Sequence, residues 1–304
     1  MTTPVPPPGP HGGDAARVAA WLGSPVTDLL DLSASLNPVA PDVGPVIAEH
    51  LAAASRYPDP ATATATLAGA IGVDPDLLVL TNGGAEAIAL VAAIEQVGAI
   101  VEPEFSLFRR HLERVTPDAP RWRSNPANPI GLLAPPDATA RVWDEAFYPL
   151  AAGAWTRGDG DSWRIGSLTK AWSCPGLRIG YVIAPDAAAA SAVRARQPRW
   201  SVNGLALAVV EALTPASDPA AWTSAIAALR ARLVAALTSC DLTVTDTETC
   251  WVLVHRAGLR ELLVPQGIVV RDCTSFGMSG VARVAVPDDD GRARLVAALE
   301  RVSV

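Results

Sequence analysis

The 304 residues carry 24 basic and 31 acidic side chains, a net charge of −7, and half of them are hydrophobic. That balance excludes a disordered chain and a basic nucleic-acid face, so any anionic ligand must be held by local arginines rather than by an overall field. The length suits one large or two modest domains.

The four cysteines (Cys174, Cys240, Cys250 and Cys273) are scattered without a Cys-x-x-Cys or His-x-x-x-His spacing. They read as reduced thiols in the cytoplasm, and no metal site is expected. The Pro-rich start lacks a basic region and an apolar run, which reads as an extended, mobile tail over 1–12 rather than a signal peptide. No uninterrupted apolar stretch reaches the ~18 residues of a membrane span, so no membrane partner is expected.

Along the chain, Asp14 is a candidate N-cap for a short helix to about Leu22. Residues 29–36 alternate weakly and run into Asn37-Pro38. Residues 43–54 have helical periodicity, ended by the two prolines of Arg56-Tyr57-Pro58-Asp59-Pro60. The apolar run 77–80 predicts a buried strand that turns through Thr81-Asn82-Gly83-Gly84-Ala85-Glu86 into a helix over 85–94. Glycines at such a turn let free amides point at an anion. The spacing is not Gly-x-Gly-x-x-Gly, so nicotinamide binding has little support. Ile100-Val101 predicts a strand leading to Glu102-Pro103-Glu104-Phe105, and 141–147 a strand carrying Asp144.

Residues 163–165 and 179–184 predict short buried strands flanking a loop, broken at Pro175-Gly176, that holds Lys170. Pro198-Arg199-Trp200-Ser201-Val202-Asn203 precedes an apolar helix to about Leu213, and 215–219 leads into a helix over 221–237. Strands near 243–245 and 250–254, a helix near 259–264, strands over 267–271 and 281–286 and a terminal helix after Asp288 follow. Arg271 and Arg283 interrupt apolar strands, which is costly unless each finds an anion.

The chemistry centres on Gly166-Ser167-Leu168-Thr169-Lys170-Ala171-Trp172-Ser173-Cys174-Pro175-Gly176-Leu177-Arg178. Hydroxyls from Ser167 and Thr169 with the Arg178 guanidinium suit a phosphate. A desolvated lysine beside them could form an imine with an aldehyde. Aldehyde and phosphate in one ligand suggest pyridoxal 5′-phosphate.

The whole string resembles the pyridoxal-lysine signature of fold-type I aminotransferases, closest to the branch of histidinol-phosphate aminotransferases and threonine-phosphate decarboxylases. The resemblance extends to His11-Gly12-Gly13, to Asn37-Pro38, to Asn82-Gly83-Gly84-Ala85-Glu86, to Asn125-Pro126-Ala127-Asn128-Pro129-Ile130-Gly131 and to Asp144. It implies that Lys170 and Asp144 are catalytic, the latter pairing with the ring nitrogen. It further implies that Gly83, Gly84, Ala85, Asn128, Ser167, Thr169 and Arg178 bind the cofactor, that Phe105 stacks on its ring, and that Tyr57 reaches a neighbour's cofactor across a homodimer. His11, Asn37, Arg271 and Arg283 would bind substrate, Arg283 taking the carboxylate and Arg271 the phosphate. Phe147 stands where aminotransferases of this branch usually carry tyrosine, and it looks more like the decarboxylase.

The resemblance implies a large three-layer α/β/α domain over 41–213, a small C-terminal α/β domain over 214–304, and a segment 13–40 packing with the small domain. Only 19 residues separate Phe105 from Asn125, and 15 separate Asn128 from Asp144. The large domain is therefore expected to be trimmed in its middle, a strand or covering helix being shortened or absent. The implied reaction is decarboxylation of L-threonine O-3-phosphate for cobalamin synthesis. Its rivals are aminotransfer on histidinol phosphate or another amino acid, and a non-catalytic protein that keeps the fold.

Overall fold

The computed structural model describes residues 4–9 and 11–302, so residues 1–3 and 10 of the expected tail lie outside the described part. The chain divides into two compact units: residues 1–39, 129–132 and 224–304 form the first, and 40–128 with 133–223 form the second.

The second unit is built on five strands in the spatial order Leu78–Thr81, Gly180–Ile183, Trp163–Gly166, Val142–Asp144 and Trp122–Ser124. Gly180–Ile183 runs antiparallel to both neighbours, and the remaining pairs are parallel. A parallel bridge from Ala99 to Arg121 joins the short pair Val97–Gly98 and Arg114–Val115 to the outer edge. Most of these strands are apolar on both faces, as parallel strands buried on both sides must be. Val79, Val142, Ile165 and Val182 pack with Ile88 and Val91 of the helix Gly83–Glu95 and with Val193 of the helix Ala187–Arg196.

The strands expected in the middle of this unit are present but only two or three residues long. What is missing there is helix. Parallel strands are usually joined by a helical crossover, yet residues 116–121, 125–141 and 145–162 contain no α-helix. Backbone carbonyls that a helix would satisfy internally need other donors. Arg157 supplies them, donating to the carbonyls of Pro135 (3.0 Å), Pro136 (2.6 Å) and Ala138 (2.9 Å) while its guanidinium lies 4.7 Å from the centre of the buried Trp143 ring.

Three local expectations are corrected. The strand expected at Ile100-Val101 lies earlier, at Val97–Gly98, because its partner Arg114–Val115 and the bridge at Ala99 set the pairing; Val101 is exposed. The helix expected over 43–54 is α-helical only at Gly44–Glu49 and tightens to 3-10 turns at Leu51–Ser55, ahead of the two prolines. Lys170 is not in a loop but on a single helical turn, Leu168–Ala171.

The first unit holds a second five-stranded sheet, ordered Leu30–Leu32, Ile268–Asp272, Val281–Ala285, Trp251–His255 and Val244–Thr245. Its first pair is parallel and the others are antiparallel. The helix Pro219–Ser239 is long and apolar enough to cross a membrane. Its Leu229, Leu233 and Leu237 are instead buried against Val252, Val254 and Val284 in this unit's core, and its Arg230 pairs with Asp246 at 2.7 Å.

The expected mobile tail also needs correction. The carbonyls of Pro6 and Gly9 accept from Arg260 (2.6 Å) and Arg271 (2.5 Å), which ties the described residues of the tail to this unit. Asp14 precedes the helix Ala15–Leu22 without capping it. Its carboxylate accepts from Gly9 N (2.8 Å) and pairs with Arg17 and Arg260.

Candidate active site

In the second unit, sheet register brings distant residues to one edge. Thr81 pairs with Gly180, Gly166 with Tyr181, Ile165 with Asp144, and Asp144 with Ser124. The chain that follows or precedes these positions carries Gly83, Gly84 and Ala85, then Ser167, Thr169 and Lys170, then Arg178, Asp144 and Phe147, and the turn from Asn125 to Asn128. The carboxyl ends of strands in an open α/β sheet are where such folds bind ligands.

One end of this group is built for an anion. The helix Gly83–Glu95 begins without a side-chain cap, so its first amides and positive dipole end remain available. Gly83 has φ 78°, a conformation that favours glycine, and a Cβ there would stand 3.0 Å from Cζ of Arg178. The guanidinium thus lies directly against the helix start. The Ser167 and Thr169 hydroxyls are buried and 2.7 Å apart, and a Cβ on Gly84 would touch the Cβ of Ser167 at 3.7 Å. Gly180 makes this closeness feasible, since a Cβ on it would meet Gly83 C and Gly84 N at 2.7 Å. Cation, helix start and two hydroxyls in one place fit a phosphate.

The other end is acidic. Asp144 is buried, accepts from Ala146 N at 3.0 Å, and is pushed up to about 7, chiefly by desolvation, with Glu104 and Glu145 adding to the rise and Lys170 opposing it. Glu145 is likewise pushed up to about 7 by burial, although Thr156 Oγ1 (2.7 Å) and Arg157 N (2.8 Å) donate to it. A carboxylate this short of compensation suits a cationic ring nitrogen. Lys170 is half-buried, its Nζ 5.5 Å from the centre of the Phe147 ring. These residues fit pyridoxal 5′-phosphate: the phosphate at the cradle, the aldehyde at Lys170 and the ring nitrogen at Asp144.

The sign of the acidic end's effect on stability follows from proton binding. The folded state holds protons on Asp144 and Glu145 that the unfolded chain releases near its ordinary values of 3.8 and 4.5. Stability is therefore full below those values and is lost as pH rises towards about 7. The melting temperature of the cofactor-free protein is expected to fall between about pH 4 and pH 7, and Asp144→Asn to remove part of that slope. A melting temperature that climbs over this range would show that these carboxyls ionise freely.

Phe105 is half-buried, edge-on to Phe108 with ring centres 6.2 Å apart. Asn128 is buried in the turn whose Asn125 N donates to Asp144 O at 2.8 Å. Tyr57 takes a different place: it is 79% exposed and stacks on Trp200 at 4.4 Å.

The remaining candidates lie in the first unit. Arg271 and Arg283 are buried and directly opposite one another on neighbouring antiparallel strands. Arg271 donates to Gly9 O (2.5 Å) and Ser275 Oγ (2.6 Å), and Arg283 donates to Ser33 O (3.4 Å) with its guanidinium 5.1 Å from the centre of the Trp251 ring. Burial lowers both, Arg283 to about 10. Gly13 N donates to Ser33 Oγ at 2.9 Å, which carries the His11-Gly12-Gly13 turn to the same strand end; His11 is exposed. Asn37 is buried, and its Oδ1 accepts from Val39 N at 3.0 Å.

Residue-by-residue reading missed Glu104, Glu145 and Gly180, whose roles depend on cross-strand neighbours. It also missed a signal in plain view: 23 of the 24 basic residues are arginines, and Lys170 is the only lysine in the sequence.

The family model described as "Aminotransferase class I and II" matches residues 124–299. A threonine-phosphate decarboxylase from Salmonella typhimurium is 28% identical over 352 aligned positions, covering 96% of either chain. Those 352 positions exceed the 304 residues here, so the relative carries additional residues within the aligned region. A histidinol-phosphate aminotransferase from Thiobacillus denitrificans is 27% identical, with 96% of this chain and 90% of its own length aligned. The fold is shared with a histidinol-phosphate aminotransferase from Sinorhizobium meliloti solved in complex with pyridoxal 5′-phosphate: TM-score 0.78, 18% identity, 95% of this chain and 94% of that one.

Proposed function

The chain belongs to the aminotransferase class I and II family of pyridoxal 5′-phosphate enzymes, and from that premise we propose that it decarboxylates L-threonine O-3-phosphate for cobalamin synthesis. The observation that carries the choice is the pair Arg271 and Arg283, two buried guanidiniums in register on neighbouring strands. Like charges directly opposite are unfavourable, and a substrate with both a carboxylate and a phosphate relieves both. His11 is assigned to the phosphate with Arg271, and Asn37 to the substrate.

When bound, pyridoxal 5′-phosphate supplies an aldehyde for the substrate amine and a ring that accepts the electrons freed at the α-carbon. Arg178, Ser167, Thr169 and the amides from Gly83 to Ala85 hold its phosphate. Lys170 Nζ would hold the aldehyde and, once free, could carry a proton to the substrate's α-carbon. Asp144 would hold a proton on the ring nitrogen, Asn128 would donate to the phenolate oxygen, and Phe105 would lie against the ring. Arg283 is assigned to the substrate carboxylate, the group whose bond to the α-carbon breaks in decarboxylation.

The second reading is aminotransfer on histidinol phosphate or another amino acid, because the same cofactor residues serve both reactions and relatives of both names match over nearly the full chain. Histidinol phosphate has no carboxylate and would leave Arg283 desolvated without its anion. Arg283→Ala is therefore expected to cut kcat/KM for threonine phosphate by about a hundredfold and to spare the half-reaction with histidinol phosphate, followed in a single turnover without oxoglutarate. The assay follows carbon dioxide and oxoglutarate separately for both substrates. A wild type that prefers histidinol phosphate and releases no carbon dioxide from threonine phosphate establishes the aminotransferase instead.

A cytoplasmic homodimer completes the proposal. Leu51, Tyr57 and Trp200 are large apolar side chains left exposed on the second unit, as an interface with another copy would require.

A further inference from the structure

One buried acid of the second unit has no part in that mechanism. Glu104 is 4% exposed, and its carboxylate is held by three donors. Oε1 accepts from Ser124 Oγ (2.5 Å) and Phe105 N (2.9 Å), and Oε2 accepts from Ser124 N (2.9 Å). Those bonds tie together the aromatic segment that carries Phe105 and the strand end Ser124. Ser124 is the register partner of Asp144, and the next amide, Asn125 N, donates to Asp144 O at 2.8 Å. One side chain thus touches the supports of three candidate cofactor contacts: Phe105, the turn to Asn128, and Asp144.

Its neighbour Glu102 shows the contrast. Glu102 is exposed, pairs with Arg109 at 2.9 Å, and reaches inward only to accept from Glu104 N at 2.9 Å. A surface role does not explain Glu104. Three donors on one carboxylate favour its charged form. Burial holds Glu104 above the ordinary carboxylate range, the donors and Arg121 opposing the rise, and Glu104 in turn acts electrostatically on Asp144.

We propose that Glu104 is a positioning residue of the cofactor site: it fixes Phe105 and the Ser124-to-Asn128 turn against Asp144, and it adds a second negative charge that favours a cationic ring nitrogen. This rests on the pyridoxal-phosphate reading of the site.

The test compares two probes on the cofactor-free protein: pyridoxal 5′-phosphate and its analogue with carbon in place of the ring nitrogen. Affinities are measured by fluorescence titration for wild type, Glu104→Gln and Glu104→Asp. Glu104→Gln is expected to weaken both ligands, because its amide NH2 must face Phe105 N or Ser124 N, and to weaken pyridoxal phosphate about tenfold more than the carbon analogue, because only the first ligand has a nitrogen to couple to. Equal losses for both ligands would mean that Glu104 only supports the fold, and the proposal falls. If Glu104→Gln does not fold, Glu104→Asp decides: it keeps the charge and shortens the reach. Weaker binding of both ligands with wild-type discrimination supports the proposal, and a changed discrimination overturns it. A wild type that binds neither probe removes the cofactor reading itself, and the proposal with it.

Discussion

Replacing Lys170 by alanine should leave a folded protein that binds pyridoxal 5′-phosphate but can no longer be joined to it by borohydride. Turnover should drop by roughly five powers of ten or more, the scale on which losing a covalent group costs an enzyme. The side chain is half-buried on the one-turn helix Leu168–Ala171, its Nζ 5.5 Å from the centre of the Phe147 ring and within electrostatic reach of Asp144. Because Lys170 is the only lysine, the wild-type result is unusually clean. Reduced cofactor should map to a single peptide, and an amine-selective reagent should compete for the same position. Reduced cofactor recovered on the α-amino group, or undiminished trapping in Lys170→Ala, would remove Lys170 from the mechanism.

Asp144→Asn is the second large effect. Asparagine keeps the shape and can still accept from Ala146 N, but it cannot carry the charge that holds a proton on the ring nitrogen. The variant should fold and trap cofactor on Lys170, yet lose about a thousandfold in kcat, a barrier increase of about 4 kcal/mol. It should also be the more stable protein without cofactor near neutral pH, because the cost of ionising a buried carboxyl is gone. Near-normal kcat would mean that the charge of Asp144 is not used. Loss of trapping as well as turnover would place the residue in cofactor retention rather than in the reaction step.

Much of the local architecture could be read from single stretches. Short apolar runs marked the strands Leu78–Thr81, Trp163–Gly166 and Val281–Ala285 because burial on both faces leaves little choice of residue. The glycine turn before the helix Gly83–Glu95 was legible because few other residues accept that backbone, and Arg271 and Arg283 stood out as charges inside apolar strands. The lysine stretch was legible as an ordered string, although its single helical turn was not, since four residues carry too weak a propensity signal to separate helix from loop.

The sequence by itself determined the chemistry on offer: one lysine, a glycine start to a helix, hydroxyls beside an arginine, and carboxylates at strand ends. Tertiary structure alone decided which of these meet. Glu102 and Glu104 are two residues apart in one short phrase, yet one pairs with Arg109 at the surface and the other is buried on Ser124, 20 positions away. Arg271 and Arg283 became a pair only through antiparallel register, and Gly180 mattered only because Gly83 and Gly84 back onto it. The loss of crossover helices was offset by Arg157, whose carbonyl partners lie about 20 residues earlier in the chain. Propensity and capping act within a few residues of each other, so a sequence displays them directly. Strand register is set by how all the strands and helices bury their apolar faces together, and no single stretch contains that information.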